Sequence, residues 1–316
     1  MKKLKIVVIS LMVVGAVVCF YTNNSSNKLQ KHRRQSWLSQ IGWNDRLSYS
    51  GKGIKIAVID TGVDSTVSEL NTAIIEEKRI VHTNENNDVA HGTAICGIIA
   101  GEAKDENQAM GIAKDSRIIS IDVTDDENGI VQIEHLIKGL NYAIEKNVDI
   151  INISVGCLKE SKELKSVINK AIDKDIIVIA SGGNYMENNV LYPAQYDEVI
   201  CIGAVDKDYN ILSPKGVSNK KIIYFPGKNI VAPIGGNHYA GCDGTSFSTA
   251  ICTGLAALLL EKNNDKSTLK DYLTGINFIN DIDFCKIINK QVSCFEIRSI
   301  YTIIFPYLSI LWYNAP

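Results

Sequence analysis

Five short runs, almost unbroken in Ile and Val, constrain this chain more than any other feature. They are Ile54–Ile59, Arg117–Val123, Asp149–Ile153, Ile176–Ala180 and Val199–Val205. A strand with one wet face alternates apolar and polar residues. These runs do not alternate, so both of their faces are predicted to be covered. Between them, Ile130–Lys146 and Lys162–Lys174 carry apolar residues at helical spacing with charged outer faces. Strand, helix, strand in succession gives an α/β fold of three layers, a mostly parallel central sheet flanked by helices. In such a sheet ligands bind beyond the carboxyl ends of the strands, so chemistry is expected just after each strand.

Composition narrows the class further. The 316 residues are 46% hydrophobic and 22% charged, an ordinary globular mixture. Disorder, collagen-like repeats and coiled coil are thereby excluded. With 33 basic residues against 35 acidic ones, the net charge is −2. That leaves no basic field to hold nucleic acid. Eight cysteines in 316 residues are too sparse for a disulfide framework. Cys96, Cys201 and Cys252 fall in core patterns, where Cys behaves as a small hydrophobe. Cys285 and Cys294 are near enough in sequence to pair, with nothing that fixes their geometry.

The two ends differ from the body. Met1–Lys5 carries three lysines, and Ile6–Phe20 follows without a charge. This fits a secretory signal and is short of the roughly 20 residues of a spanning helix. No clear cleavage site follows, so residues 1–21 are read as a signal peptide or an N-terminal membrane anchor. The chain is then secreted, or tethered through residues 6–21 to the outer face of the cytoplasmic membrane. Residues 22–35, with Lys28, Lys31, Arg33 and Arg34, form a basic polar linker. The folded body spans 36–275, and 276–316 is a C-terminal extension without an assigned role. Its apolar stretch Ile297–Tyr313 is interrupted by Arg298 and Pro306, which favours a tail over a second membrane segment.

Four elements stand at strand or helix ends. Asp60-Thr61-Gly62 closes the first strand, and alone it is an ordinary turn. His91-Gly92-Thr93 opens a helix whose Ile95, Ile98 and Ile99 face the core, which puts His91 at an exposed helix start. Gly182-Gly183-Asn184 follows the strand Ile176–Ala180. Gly244-Thr245-Ser246 precedes a helix with Phe247, Ala250, Ile251, Gly254, Leu255 and Leu258 at helical spacing, where a lone Ser is an N-cap. Together they suit acyl transfer. A serine hydroxyl is a weak nucleophile that needs a base, and an imidazole needs a carboxylate to fix its tautomer. His32, His82, His135 and His238 lack such a context and are read as structural or solvated.

With these motifs, and with Ile151-Asn152-Ile153-Ser154-Val155-Gly156, Tyr192-Pro193-Ala194 and Pro226-Gly227, residues 36–275 resemble the subtilisin-like serine peptidases (subtilases, peptidase S8). The resemblance implies a subtilisin-like catalytic domain, a serine endopeptidase that forms an acyl-enzyme with peptide or protein substrates. It implies no cofactor and no nucleic-acid partner, and a monomer is expected. It assigns Asp60, His91 and Ser246 to the catalytic triad, and Asn184 with the Ser246 backbone N–H to the oxyanion site. Ser154-Val155-Gly156 becomes the edge that pairs with the substrate as an added strand. That edge and Ala180-Ser181-Gly182 form the walls of the S1 pocket. Leu191 stands at the pocket floor, where glycine is common in the family, and predicts poor acceptance of large aromatic P1 residues.

Departures from the family pattern matter as well. Phe247-Ser248-Thr249-Ala250 replaces the commoner Met-Ala-Thr-Pro, which is expected to alter packing under the helix but no catalytic atom. Asp243 stands where a neutral residue is usual and is expected to bring a charge near the cleft. The calcium loops of well-known members have no convincing acidic match, so no metal site is predicted. About fifteen residues separate Tyr21 from the first family-like segment, Gln35–Trp43, too few for the folding prodomain of many secreted members. Lys31-His32-Arg33-Arg34 is either a cleavage site or a solvated linker. Short subtilases of this type include leader-processing peptidases of lantibiotic-type systems, which makes a dedicated leader peptidase the alternative. An inactive scaffold acting as a binding module is the alternative outside enzymes, although no triad member is lost.

Overall fold

The computed structural model describes residues 36–43, 48–81, 88–104, 108–125, 130–184, 190–214, 219–236 and 238–275. The predicted export segment, basic linker, C-terminal extension and Cys285–Cys294 pairing, with His32 and His82, lie outside the described residues. The strands are β1 (Lys55–Asp60), β2 (Ile74–Arg79), β3 (Arg117–Asp122), β4 (Thr124–Asp125), β5 (Ile130–Val131), β6 (Ile150–Ile153), β7 (Ile177–Ser181), β8 (Ile200–Val205), β9 (Ile211–Ser213), β10 (Ile222–Pro226), β11 (Ile230–Gly235) and β12 (His238–Cys242). The helices are α1 (Ser36–Gln40), α2 (Ala90–Ala100), α3 (Ile133–Glu145), α4 (Lys162–Asp173), α5 (Thr245–Asn263) and α6 (Lys266–Gly275).

The five Ile/Val runs become β1, β3, β6, β7 and β8, the heart of a sheet ordered β2–β3–β1–β6–β7–β8–β10. All of these neighbours are parallel, and β9 adds to β8 antiparallel. The unbroken hydropathy has its predicted cause. Ile56, Val58, Ile118 and Ile150 face one layer with α2 and α5, whereas Ala57, Ile59, Ile119 and Ile151 face the other with α3 and α4. The chain winds from β1 out to β2 and β3, then crosses to β6 on the other side of β1. That reversal makes the carboxyl end of β1 the crevice of the sheet.

Helix α5 is buried all round from Thr245 to Leu260, as expected of a central helix. Its far end holds the entry to β1. The Glu261 carboxylate accepts the N–H groups of Ser50 and Gly51, both at 2.7 Å, and of Lys52 at 3.2 Å.

Two regions depart from the sequence expectation. The helix predicted from Ile130 starts at Ile133, because Ile130 and Val131 pair with Asp125 and Thr124 as a two-stranded hairpin. The β11–β12 hairpin packs on α2 and has no counterpart in the periodicity. It sits so close that a Cβ on Gly97 would lie 2.4 Å from Pro233 Cγ. Cys96, Cys157, Cys201, Cys242 and Cys252 are buried thiols that form no disulfide among the described residues. Burial pushes the Cys157 thiol up to about 11 and that of Cys201 up to about 12. Among the described residues no helix is long and apolar enough to cross a membrane.

Candidate active site

Asp60 is the last residue of β1, and its side chain is fully buried. One oxygen, Oδ1, accepts the Thr61 N–H at 2.8 Å and lies 2.7 Å from His91 Nδ1. A buried carboxylate without a donor is costly, and an ionised one only accepts. The proton of this contact therefore sits on His91 Nδ1, which leaves Nε2 with a lone pair. The other oxygen, Oδ2, is buried without a hydrogen-bond partner among the described residues. His91 lies in the first turn of α2, but its side chain is only 8% exposed, so the expected exposed position is corrected. Gly92 accounts for this burial. A Cβ there would fall 1.9 Å from the Gly62 carbonyl, so the first turn of α2 lies directly on the Asp60-Thr61-Gly62 loop.

Ser246 approaches from α5. The helix begins at Thr245, so Ser246 is its second residue, and Gly244 occupies the N-cap position instead. Gly244 has φ of 138°, a conformation that favours glycine. Asn184 clamps this start: its Oδ1 accepts the Thr245 N–H at 2.7 Å and the Thr245 hydroxyl at 2.9 Å. With Oδ1 held twice, the exposed Asn184 amide keeps its Nδ2 close to Gly244, 2.9 Å from where a Cβ there would lie. Backbone N–H groups in the first turn of a helix have no intrahelical acceptor, which makes this corner attractive to negative charge. Ser246 Oγ donates to the Ser154 carbonyl across a long 3.5 Å. No hydrogen bond joins it to His91 among the described residues. Phe247, the residue after Ser246, lies against the imidazole, its ring centroid 5.2 Å from that of His91. The packing change expected at Phe247 thus extends to the imidazole ring of His91.

Ser154, Val155 and Gly156 continue β6 past Ile153, and Ala180, Ser181 and Gly182 lie at the end of β7. Leu191 is buried between the two segments. A Cβ on Gly156 would lie 2.9 Å from Leu191 Cβ, and one on Gly183 would lie 2.8 Å from Leu191 Cγ. Gly183, absent from the sequence-based pocket, thus also lies against Leu191. The Leu191 N–H donates to Gly182 O at 3.1 Å, and Cys157 and Tyr192 exchange two backbone bonds of 2.8 Å. Asp243 does not send its charge into the cleft. Its carboxylate pairs with Lys228 and accepts the Asn229 N–H at 2.7 Å. His135 pairs with Asp125 at 2.8 Å, and His238 is exposed. The described residues hold no cluster of potential metal ligands.

A doubly covered parallel sheet that gathers an Asp, a His and a helix-start Ser at the carboxyl end of its central strand defines a subtilisin-like α/β protein. The subtilase family model matches residues 51–274, and the chain belongs to that family. It is 32% identical over 241 residues to the thermophilic serine proteinase of Bacillus sp. (strain AK1), covering 75% of this chain and 59% of that protein. It is 34% identical over 222 residues to the major intracellular serine protease of Bacillus subtilis (strain 168), covering 66% and 69%. A cold-adapted subtilisin-like serine proteinase shares the fold with a TM-score of 0.62 at 24% identity, over 72% of this chain and 82% of that one. The prenylagaramide maturation protease PagA superposes with a TM-score of 0.59 at 25% identity, over 81% and 86%.

Proposed function

We propose that this chain is a serine endopeptidase in which Asp60, His91 and Ser246 form the triad and Asn184 serves the oxyanion. The observation that carries the reading is the buried Asp60–His91 contact of 2.7 Å, with His91 against the residue that follows Ser246. His91 Nε2 takes the Ser246 proton as Oγ attacks the peptide carbonyl carbon. The negative charge moves to the carbonyl oxygen, where the Asn184 Nδ2 donor and the Ser246 N–H receive it. His91 then gives its proton to the departing amine as the C–N bond breaks. Water, activated by the same imidazole, releases the acid and restores Ser246. Throughout, Asp60 holds the tautomer and offsets the imidazolium charge.

The substrate is a peptide or protein, held as a strand along Ser154-Val155-Gly156, with its P1 side chain directed at the slot that Leu191 shortens. The likeness to a maturation protease is compatible with a dedicated leader-processing role, and a substrate panel separates the two. Hydrolysis of casein and unrelated peptides supports a general endopeptidase, whereas cleavage of one precursor alone supports the dedicated role. A fluorophosphonate probe tests the mechanism. Labelling at Ser246, lost in Ser246→Ala, is expected, and a folded protein that stays unlabelled refutes it. Export through residues 1–21 belongs to the same proposal. N-terminal sequencing of protein from medium and membrane fractions distinguishes cleavage from tethering, and recovery from the cytosol alone overturns export.

A further inference from the structure

Strand β6 turns Ile150 toward the α5 layer and Ile151 and Ile153 toward the opposite one. By the same alternation Asn152, a fully buried amide, faces α5. Both ends of the amide are bonded, one to α5 and one to the residue just past the end of β6. Its Oδ1 accepts the hydroxyl of Thr253 at 2.9 Å, and its Nδ2 donates to Ser154 Oγ at 3.1 Å. Thr253 is fully buried and lies on α5 seven residues after Ser246, two helical turns along.

A Thr inside a helix ordinarily bonds back to the carbonyl four residues earlier, as Thr249 does to Thr245 at 2.7 Å. Thr253 instead reaches across to the strand. A pair of apolar side chains would fill this space without dehydrating an amide and a hydroxyl. What the polar pair adds is direction: a hydrogen bond fixes distance and angle, whereas apolar packing tolerates sliding. The contacts close a loop from Ser246 along α5 to Thr253, across to Asn152, on to Ser154, and back through the 3.5 Å approach of Ser246 Oγ to the Ser154 carbonyl.

We propose that Thr253 and Asn152 are positioning residues whose bond sets the height of α5 on β6. The bond thereby fixes Ser246 against the edge that receives the peptide. This inference rests on the reading of Ser246 as the nucleophile. Errors of about an ångström at a nucleophile cost roughly 100-fold in rate, and the loss falls mainly on the chemical step because Thr253 bonds Asn152 and not a residue of the binding edge itself.

The test compares full-length wild type, Thr253→Val and Thr253→Ser by kcat, KM, thermal midpoint and rate of fluorophosphonate labelling. Thr253→Val, nearly isosteric but without the hydroxyl, is expected to lose about tenfold or more in kcat while KM stays within about twofold. Labelling at Ser246 slows in parallel. Thr253→Ser, which keeps the donor, restores both rates. A Thr253→Val enzyme with a lowered midpoint but wild-type kcat shows a merely structural bond and overturns the proposal. Equal losses in the Val and Ser variants also overturn it, because the hydroxyl is then not the cause. Thr253→Ala carries the same comparison if the Val variant does not fold. Failure of the wild type itself to label would instead remove the nucleophile reading, a result separate from any difference among the Thr253 variants.

Discussion

Leu191 offers the most direct test of how this cleft selects substrates. Its side chain is buried, and the backbone of Gly156 on one side and Gly183 on the other comes so close that neither position has room for a Cβ. Replacing Leu191 by Gly removes the isobutyl group and opens a slot between the two segments. Loss of a buried leucine side chain costs roughly 2–5 kcal/mol in stability, so the variant must first be shown to be folded at the assay temperature. The gain lies in the substrate. An aromatic P1 ring that refills the slot recovers about 2–3 kcal/mol relative to a P1 alanine, or roughly 30- to 150-fold in kcat/KM. The assay is a series of peptide p-nitroanilides that differ only in P1, with Ala, Leu and Phe. Wild type is expected to disfavour Phe, and Leu191→Gly to move the Phe/Ala ratio upward by that factor. A wild type that prefers Phe or Tyr would refute the reasoning. So would a folded variant whose ratio shifts by less than about threefold, since the slot would then not be limited by Leu191.

Asn184→Ala is expected to lower kcat by about 10²–10³ with little change in KM, because its Nδ2 donor is engaged fully only when negative charge develops; steady-state kinetics decide it. Glu261→Ala removes the acceptor of three backbone N–H groups at Ser50, Gly51 and Lys52, and should cost about 2–3 kcal/mol, read from urea midpoints, with kcat unchanged. Asp64 accepts the Thr66 hydroxyl and the N–H groups of Thr66 and Gly236, which holds its carboxyl below the ordinary 3.8. A lowered carboxyl stabilises the fold above its unfolded value and loses that contribution as pH falls through the folded one. Asp64→Asn should therefore be less stable than wild type near pH 6, with the gap closing below about pH 4. A gap that stays constant with pH would show that the charge plays no part.

The parts of this molecule legible in its sequence are those whose cause is local. Ile56 to Ile59 and Ile150 to Ile153 announce strands covered on both faces because the layers above and below bury every position, all of them apolar except Asn152. Asp60, His91, Asn184 and Ser246 could be picked out because each sits where an element ends, and a sheet of this kind gathers such ends at one edge. Strand β2 has no such signature because Ile74–Arg79 lies at the sheet edge, where no residue is fully buried and polar side chains are tolerated. Relations between distant residues escaped for a different reason. That Phe247 walls His91, that Lys228 takes up the Asp243 charge, and that Gly183 supports Leu191 depend on how elements pack, which no spacing encodes. Asn152 and Thr253 make the point most sharply. Apart, they are a polar residue in a strand and a β-branched one in a helix, each mildly unfavourable to its own element. Only when α5 lies across β6 do the two local costs become one bond. Residues that break the local rule of their element without a local benefit are therefore where positioning contacts of a site should be sought.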